Sequence, residues 1–119
     1  MGYESRFYIV KKSNFTFEDD DKQWAEIIAM FNMCKCYDLY ERIRHYPKTD
    51  CYFYINDEKI TEDSYGDALI EIPIEDMIEI LINIMAYDDY RRINPFLSLL
   101  KGFNLNEWND RLVVLHYGY

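Results

Sequence analysis

The sequence contains few of the residues on which recognisable catalytic sites depend. It has two histidines, three cysteines and four glycines in 119 residues. It contains no glycine-rich phosphate loop, no Cys-x-x-Cys pair and no His-Glu-x-x-His motif. A catalytic nucleophile needs a neighbouring base and a third group that orients the base, and neither histidine lies in such a signature. We therefore expect a protein that is not an enzyme.

Basic residues are scarce as well. Lysine and arginine together number 13, against 22 aspartates and glutamates, and the net charge is −9. A protein that binds nucleic acid directly usually carries a basic surplus, because its cations replace the counterions condensed on phosphate. We therefore expect no direct contact with nucleic acid. An acidic surface favours either solubility or attraction to a basic protein.

Long apolar runs are missing too. The longest, MIEILINIMAY, is interrupted by Glu79 and Asn83, whereas a membrane-spanning helix needs about 20 mainly apolar residues. The opening MGYESRFYIV contains Glu4 and Arg6 and is not followed by the apolar core of a secretory signal. These features predict a cytoplasmic protein that does not bind membranes. In that compartment the cysteines would be free thiols or metal ligands rather than disulfides.

Aromatic residues are abundant, at 18% of the chain, with twelve tyrosines and seven phenylalanines. Disordered chains are poor in such residues, so the sequence predicts a folded protein. The length and the lack of any linker indicate a single domain over residues 1–119.

The pattern of apolar residues predicts both strands and helices. SRFYIVKK, TDCYFYI and RLVVLHYGY are typical of strands. Apolar residues at positions 24, 27, 28 and 31 follow the spacing of a helix, which predicts a first helix there. A second helix is expected from Pro73, and a third from Asn94 to a stop at Gly102. The predicted fold class is α+β, with a small, antiparallel sheet and about three helices.

The stretch MCKCYDLYERIRHYPKTDC holds all three cysteines and one histidine. Cys34 and Cys36 are two residues apart, so on an extended segment their side chains project to one side and could chelate a metal. With Cys51 and His45 they would form a closed, structural Cys₃His zinc site. The alternative is that the three cysteines are buried thiols, which free cysteines often are.

The fourth zinc ligand is a separate question. His45 is favoured because it is close to the cysteines in sequence. His116 is the alternative, if its strand pairs beside the strand that begins at Cys51. The sequence does not decide between the two.

Three parts of the chain together resemble a family of known proteins: GYESRFYIV, then TDCYFYI with KITEDSYGD, and finally VVLHYGY. They are similar to small proteins encoded by phages and prophages of Gram-positive bacteria. Some small acidic proteins of that origin are anti-CRISPR inhibitors of type II-A Cas9. The resemblance implies a protein partner, either Cas9 or its complex with guide RNA, and implies no catalytic motif.

The function expected from these features is inhibition by docking of an acidic, tyrosine-rich surface on Cas9 or a similar nucleic-acid-handling protein. Cas9 holds its RNA–DNA duplex in a positively charged channel that such a surface could approach. The candidate docking residues are acids in predicted loops and helix starts: Glu18, Asp19, Asp20, Asp21, Asp57, Glu58, Glu62, Asp63, Asp88 and Asp89. The alternative is a zinc-stabilised structural or regulatory phage protein without a nuclease target, for example a homodimer formed through an exposed edge strand.

Overall fold

The computed structural model describes residues 4–16, 23–34, 37–85, 93–104 and 112–119, and side chains over these ranges except at positions 13–16, 34, 37, 85 and 104. The strands are β1 (Ser5–Thr16), β2 (Gln23–Cys34), β3 (Cys51–Ile55), β4 (Glu58–Ile60), β5 (Ile70–Pro73) and β6 (Leu112–Gly118). The helices are α1 (Tyr37–Ile43), α2 (Ile74–Met85) and α3 (Ile93–Asn104). The predicted α+β class is confirmed.

The strands form a six-stranded sheet in the order β4-β3-β2-β1-β6-β5. Most neighbours are antiparallel, but β3 runs parallel to β2. Strand β1 lies near the centre, between β2 and β6. Beyond the ends of β1 and β6, Glu4 and Tyr119 exchange two backbone hydrogen bonds of 2.8 and 3.0 Å.

One face of the sheet packs against the helices. Phe7 and Ile9 of β1 and Val114 of β6 are fully buried there, with Leu81 of α2 and Phe96 of α3.

The acids Glu75 and Asp76 lie in the first turn of α2, where negative charge is favourable because it faces the positive end of the helix dipole. The helix predicted from Pro73 is therefore present, beginning at Ile74.

The opposite face of the sheet has a smaller core of its own. Tyr8 and Val10 of β1 and Leu115 of β6 are buried against Cys51 and Phe53 of β3. Consecutive residues of β1 thus point into different cores, because side chains alternate along a strand. The result is a sheet whose central strands are apolar on both faces.

The first helix predicted at positions 24–31 is wrong, because this segment is strand β2. Its register against β1 moves from Ile9 opposite Ala29 to Val10 opposite Ile27, so Ile28 is an extra residue, a β-bulge. The bulge switches the face on which alternate residues lie. Ile27 therefore packs in the smaller core, and Ala29 in the helix-covered core. Apolar residues on both sides of a bulge imitate the spacing of a helix.

The third helix also differs from its prediction in one respect. Gly102 does not end α3, which continues to Asn104. A glycine often ends a helix by adopting a positive φ. Gly102 is not among the residues with positive φ in the described ranges. The strands predicted from SRFYIVKK, TDCYFYI and RLVVLHYGY are confirmed as β1, β3 and β6.

Candidate functional site

Cys51 lies where the chain crosses from one edge of the sheet towards its middle. Before it, the Thr49 amide donates to the Leu69 carbonyl at 2.8 Å, beside β5. After it, the Gln23 amide donates to the Asp50 carbonyl at 2.9 Å, beside β2. This crossing brings the buried Cys51 side chain close to Glu71, in the middle of β5.

Glu71 is the centre of a polar group, here called the Glu71 cluster, made of Lys12, Thr49, Asp50, Cys51 and Glu71. The Lys12 ammonium donates to Oε2 of Glu71 at 2.9 Å, and the Thr49 hydroxyl donates to Oε1 at 2.7 Å. The Cys51 amide donates to the Thr49 hydroxyl at 3.0 Å. The Cys51 Sγ lies 3.9 Å from an oxygen of Asp50 and 3.9 Å from Oε1 of Glu71. The cluster ties β1, β5 and the start of β3 together.

The electrostatics of the cluster favour a neutral thiol. Burial raises the pKa of the Cys51 thiol, and the nearby carboxylates add to this rise, while the Thr49 hydrogen bond and the Lys12 charge oppose it. For Lys12, burial acts to lower the pKa, but the hydrogen bond and charge of Glu71 outweigh it and the pKa is raised. At neutral pH the cluster therefore holds a protonated thiol and a Lys12–Glu71 ion pair.

The same cluster contains donors suited to a metal ion. Asp50, Cys51 and Glu71 each offer one ligand atom, and these atoms lie within 4.8 Å of one another. A thiolate and carboxylates are both ligands that divalent transition metals accept. The three side chains could therefore hold a metal ion. Binding would require removal of the Cys51 proton and competition with Lys12 and Thr49 for Glu71.

The residues predicted as zinc ligands are only partly within the described structure. Cys51 is buried at the start of β3, while Cys36 and the side chain of Cys34 lie outside the described residues. His45 is exposed in the turn that follows α1. Among the side chains that the structure describes, the donor group around Cys51 contains neither histidine. Chelation of a metal by Cys34 and Cys36 stays a prediction.

His116 was expected to join Cys51 only if its strand paired beside the strand that begins at Cys51, and the two strands are not neighbours. Its strand, β6, is separated from β3 by β1 and β2 in the sheet. The buried His116 Nε2 instead lies 2.9 Å from the Ser5 hydroxyl. Burial and, secondarily, the positive charge of Lys48 lower the pKa of His116 to about 4. His116 is thus a neutral core residue.

The acids predicted to contact a partner fall into two groups. Asp57, Glu58 and Glu62 are exposed, and Asp63 is half-buried. The remaining ones lie outside the described residues: Glu18, Asp19, Asp20, Asp21, Asp88 and Asp89. The structure thus places one acidic group, from position 57 to position 63, on and after the β3–β4 hairpin.

The sequence analysis did not identify Lys12, Asp50 and Glu71 as neighbours of Cys51. One feature of the sequence indicates that Glu71 has a partner: it is a lone charge between the apolar residues Ile70 and Ile72, both buried in the structure. A charged residue in the middle of an apolar strand usually has a partner, because burying an unpaired charge is costly. The identity of that partner depends on contacts between residues 20 and 59 positions apart in sequence.

Replacing Glu71 by alanine is expected to lower the free energy of unfolding by about 2 kcal/mol. The buried Thr49 hydroxyl would lose its acceptor, and the partly exposed Lys12 would lose its ion pair. Urea denaturation at neutral pH measures the change. The control is Glu41→Ala, which removes only an exposed pair with Arg44 at 3.5 Å and should cost below about 0.5 kcal/mol. Equal losses in the two variants would contradict a structural role for the cluster.

None of the three helices in the described part of the chain has the length and apolarity required to cross a membrane. The chain matches no protein family model, no curated protein and no solved structure.

Proposed function

We propose that this protein is a non-catalytic inhibitor that docks an acidic, tyrosine-bearing surface on a basic, nucleic-acid-handling protein, with type II-A Cas9 as the specific candidate. The observation that carries the proposal is a concentration of exposed acids and tyrosines in residues 54–67. We call this segment the acidic hairpin surface. It contains five acids against one base: Asp57, Glu58, Glu62, Asp63 and Asp67 against Lys59.

Two exposed aromatic rings accompany these acids. Tyr54 on β3 is 51% exposed, and Tyr65 in the loop after β4 is 54% exposed. Tyrosine is enriched in protein–protein interfaces, because its ring contributes apolar contact while its hydroxyl keeps a hydrogen bond. Exposed acids beside exposed tyrosines suit a partner surface that presents arginine and lysine.

Local backbone geometry and hydrogen bonds define the shape of the acidic hairpin surface, and a preformed surface loses less entropy on binding. The β3–β4 turn has positive φ at Asn56 (50°) and Asp57 (65°), as in a tight two-residue hairpin turn. In the following loop a carboxylate oxygen of Asp63 accepts hydrogen bonds from the amides of Tyr65 and Asp67, at 2.8 and 3.0 Å. Asp63 therefore shapes the loop, while Asp57, Glu58, Glu62 and Asp67 are left to face a partner.

Cas9 is a suitable target on chemical grounds, because it keeps its RNA–DNA duplex in a positively charged channel. The resemblance to small phage proteins that the sequence analysis predicts favours the same choice. A negative surface would compete with nucleic acid for that channel, and the attraction would weaken with salt. This mode of action needs no catalytic group in the inhibitor.

The test is binding to the Cas9–guide RNA complex at about 50 mM and about 500 mM salt, a range over which surface charges become screened. We expect a complex at low salt. The variant Glu58→Gln/Glu62→Gln should weaken it about tenfold, given roughly 0.5–1 kcal/mol for each lost charge. At high salt the variant and the unmodified protein should bind almost equally.

The matched control is Glu75→Gln/Glu79→Gln, which removes two exposed acids from α2 and leaves the same net charge. It should weaken binding no more than about twofold. Absence of any complex at low salt would refute Cas9 as the partner. Equal weakening by the two double variants would refute the acidic hairpin surface as the docking face.

A second candidate function is structural zinc binding, favoured by the donor group of Asp50, Cys51 and Glu71. Zinc with these ligands would join β5 to the start of β3. Elemental analysis of the purified protein and of Cys51→Ser tests this. One equivalent of zinc, lost in the variant, supports the site. A metal-free protein that unfolds at an ordinary temperature refutes it, and Cys34→Ser reports whether the predicted thiolate pair takes part.

A further inference from the structure

An arginine lies among aromatic side chains on the face of the sheet that the helices do not cover. Arg6 of β1 precedes Phe7 of the helix-covered core, and side chains alternate along a strand, so Arg6 lies on the opposite face. Its strand partners are Asn32 of β2 and Tyr117 of β6. The Arg6 Cζ lies 4.5 Å from the centre of the Tyr119 ring, which makes a cation–π contact.

This guanidinium has no anionic partner in the described part of the chain. Arg6 is half-buried, yet no carboxylate of the described residues forms an ion pair with it. Its Nε is enclosed and has no hydrogen-bond partner among the same residues. One Nη donates to the Tyr8 hydroxyl at 3.3 Å, which is a long hydrogen bond. Withdrawing a cation from water without a counter-charge is costly, so this arrangement favours the binding of an anion.

The polar groups around the guanidinium are left with protons to donate. The Tyr8 hydroxyl oxygen accepts from Arg6, and the Tyr119 hydroxyl oxygen accepts from Nδ2 of Asn32 at 2.6 Å. The proton of each hydroxyl is therefore left to donate, and it meets no acceptor among the described residues. Tyr8 is only 4% exposed, which limits the access of bulk water. We call Arg6, Tyr8, Asn32 and Tyr119 the Arg6 donor cluster.

We propose that the Arg6 donor cluster binds a carboxylate group. A carboxylate has two acceptor oxygens and one negative charge, which match the N–H groups of the guanidinium and the two hydroxyl protons. Phosphate offers similar oxygens but carries up to two charges. The chain has a net charge of −9, which disfavours the more highly charged ion.

Arg6 keeps its charge wherever a carboxylate is ionised. The hydrogen bond to Tyr8 raises the pKa of the guanidinium, burial acts against this rise, and Tyr119 adds to it. Binding should therefore weaken with acid only where the carboxylate itself takes up a proton. The cluster is cationic and lies outside the acidic hairpin surface, so the proposal does not rest on the proposed function. Its test needs no partner protein.

Titration with acetate, followed by NMR of the arginine Nε–H signals, tests the proposal. Acetate replaces chloride at constant ionic strength, and the Arg6 signal is identified by its loss in Arg6→Lys. We expect this signal to move and saturate with a dissociation constant of roughly 1 mM, which is ordinary for so small a ligand. Arg44 is the internal control, because it is exposed and already pairs with Glu41 at 3.5 Å. Its signal should not saturate.

A second probe separates two sources of the carboxylate. It is N-acetyl-glycylglycine, whose carboxylate ends a short peptide. Tighter binding than that of acetate supports a peptide terminus as the natural ligand, and equal binding supports a small free carboxylate.

Two tyrosine variants show whether the hydroxyl donors take part. Tyr119→Phe keeps the ring beneath the guanidinium but removes one hydroxyl, and it should raise the acetate dissociation constant at least about tenfold, as for a hydrogen bond to a charged group. The matched control is Tyr117→Phe, because the Tyr117 hydroxyl lies 3.2 Å from the Ser64 hydroxyl. It should leave acetate binding unchanged.

Three results would overturn the proposal. The first is the absence of a saturable change at Arg6, which would mean that water alone satisfies the donors. The second is an equal, saturable change at Arg44, which would mean nonspecific binding. The third is equal acetate binding by the two tyrosine variants.

Discussion

Lowering the pH from 7 to 4 is expected to reduce the free energy of unfolding by about 3 kcal/mol through His116 alone. Its pKa is lowered from 6.5 to about 4 in the folded protein, first by burial and then by the charge of Lys48. The imidazole lies against the rings of Phe7 and Tyr40 at 5.3 and 5.7 Å and beside the Ser5 hydroxyl. None of these neighbours carries a negative charge that would stabilise an imidazolium.

Acid lowers the free energy of unfolding because the unfolded chain takes up a proton on His116 more readily than the folded protein does. Between pH 6.5 and pH 4 the unfolded chain holds a proton on His116 that the folded protein does not, so acid favours unfolding. The full contribution of the neutral imidazole is present above pH 6.5 and is lost as the pH falls through about 4.

Chemical denaturation at several pH values, with the variant His116→Gln, checks this. Glutamine keeps a polar group near Ser5 but does not titrate. The difference in stability between the unmodified protein and the variant should shrink by about 3 kcal/mol from pH 7 to pH 4. His45→Gln is the control, since it removes an imidazole that is exposed and lies outside the core. Identical pH dependence in all three proteins would contradict the assignment.

Replacing Phe96 by alanine is expected to cost about 3–5 kcal/mol, the usual range for a phenylalanine lost from a packed core. Phe96 of α3 is fully buried between two rings of the sheet. Its ring stacks on Phe31 at 4.7 Å and lies tilted against Phe7 at 5.2 Å. The variant would leave a cavity between α3 and the strands β1 and β2. Since small domains have about 5–15 kcal/mol of stability, the change is large enough to measure by urea denaturation.

A double-mutant cycle makes this prediction specific to the stacked pair. Phe31→Ala and Phe96→Ala together should cost about 0.5–1.5 kcal/mol less than the sum of the single changes, the usual coupling of an aromatic pair. The control is Phe103→Ala on the same helix, a half-buried ring that should cost distinctly less than Phe96→Ala. Absence of coupling would contradict the placement of β2 beneath α3.

The fold could be predicted from the sequence wherever one periodicity continued without interruption. The alternating aromatic and β-branched residues of β1, β3 and β6 predicted strands. The apolar segment after Pro73, which begins with acidic residues, predicted α2. β2 was mistaken for a helix because the bulge at Ile28 changes the buried face within the strand. A single inserted residue leaves no signature in the sequence that separates the two cases.

The candidate site was predictable only in part, for a different reason. The sequence singled out Cys51, and it singled out four of the five acids of the acidic hairpin surface: Asp57, Glu58, Glu62 and Asp63, but not Asp67. The contacts of Cys51 with Glu71 depend instead on how β5 lies beside the crossing residues 47–50, which is a matter of tertiary structure. Proximity in sequence favoured His45, yet the chain places His45 on the surface and brings a distant carboxylate to the thiol.

The pairing of β1 with β6 has a consequence for the rate of folding. The Ser5–His116 contact joins residues 111 positions apart, at the centre of the sheet. Such contacts can form only after a long chain segment has lost much of its conformational freedom, so we expect folding to be slower than in helical proteins of similar size. The β1–β2 hairpin is local and can form first. Until β6 docks, the central strand of the sheet keeps one side open, and the unfinished sheet is exposed to pairing with other chains.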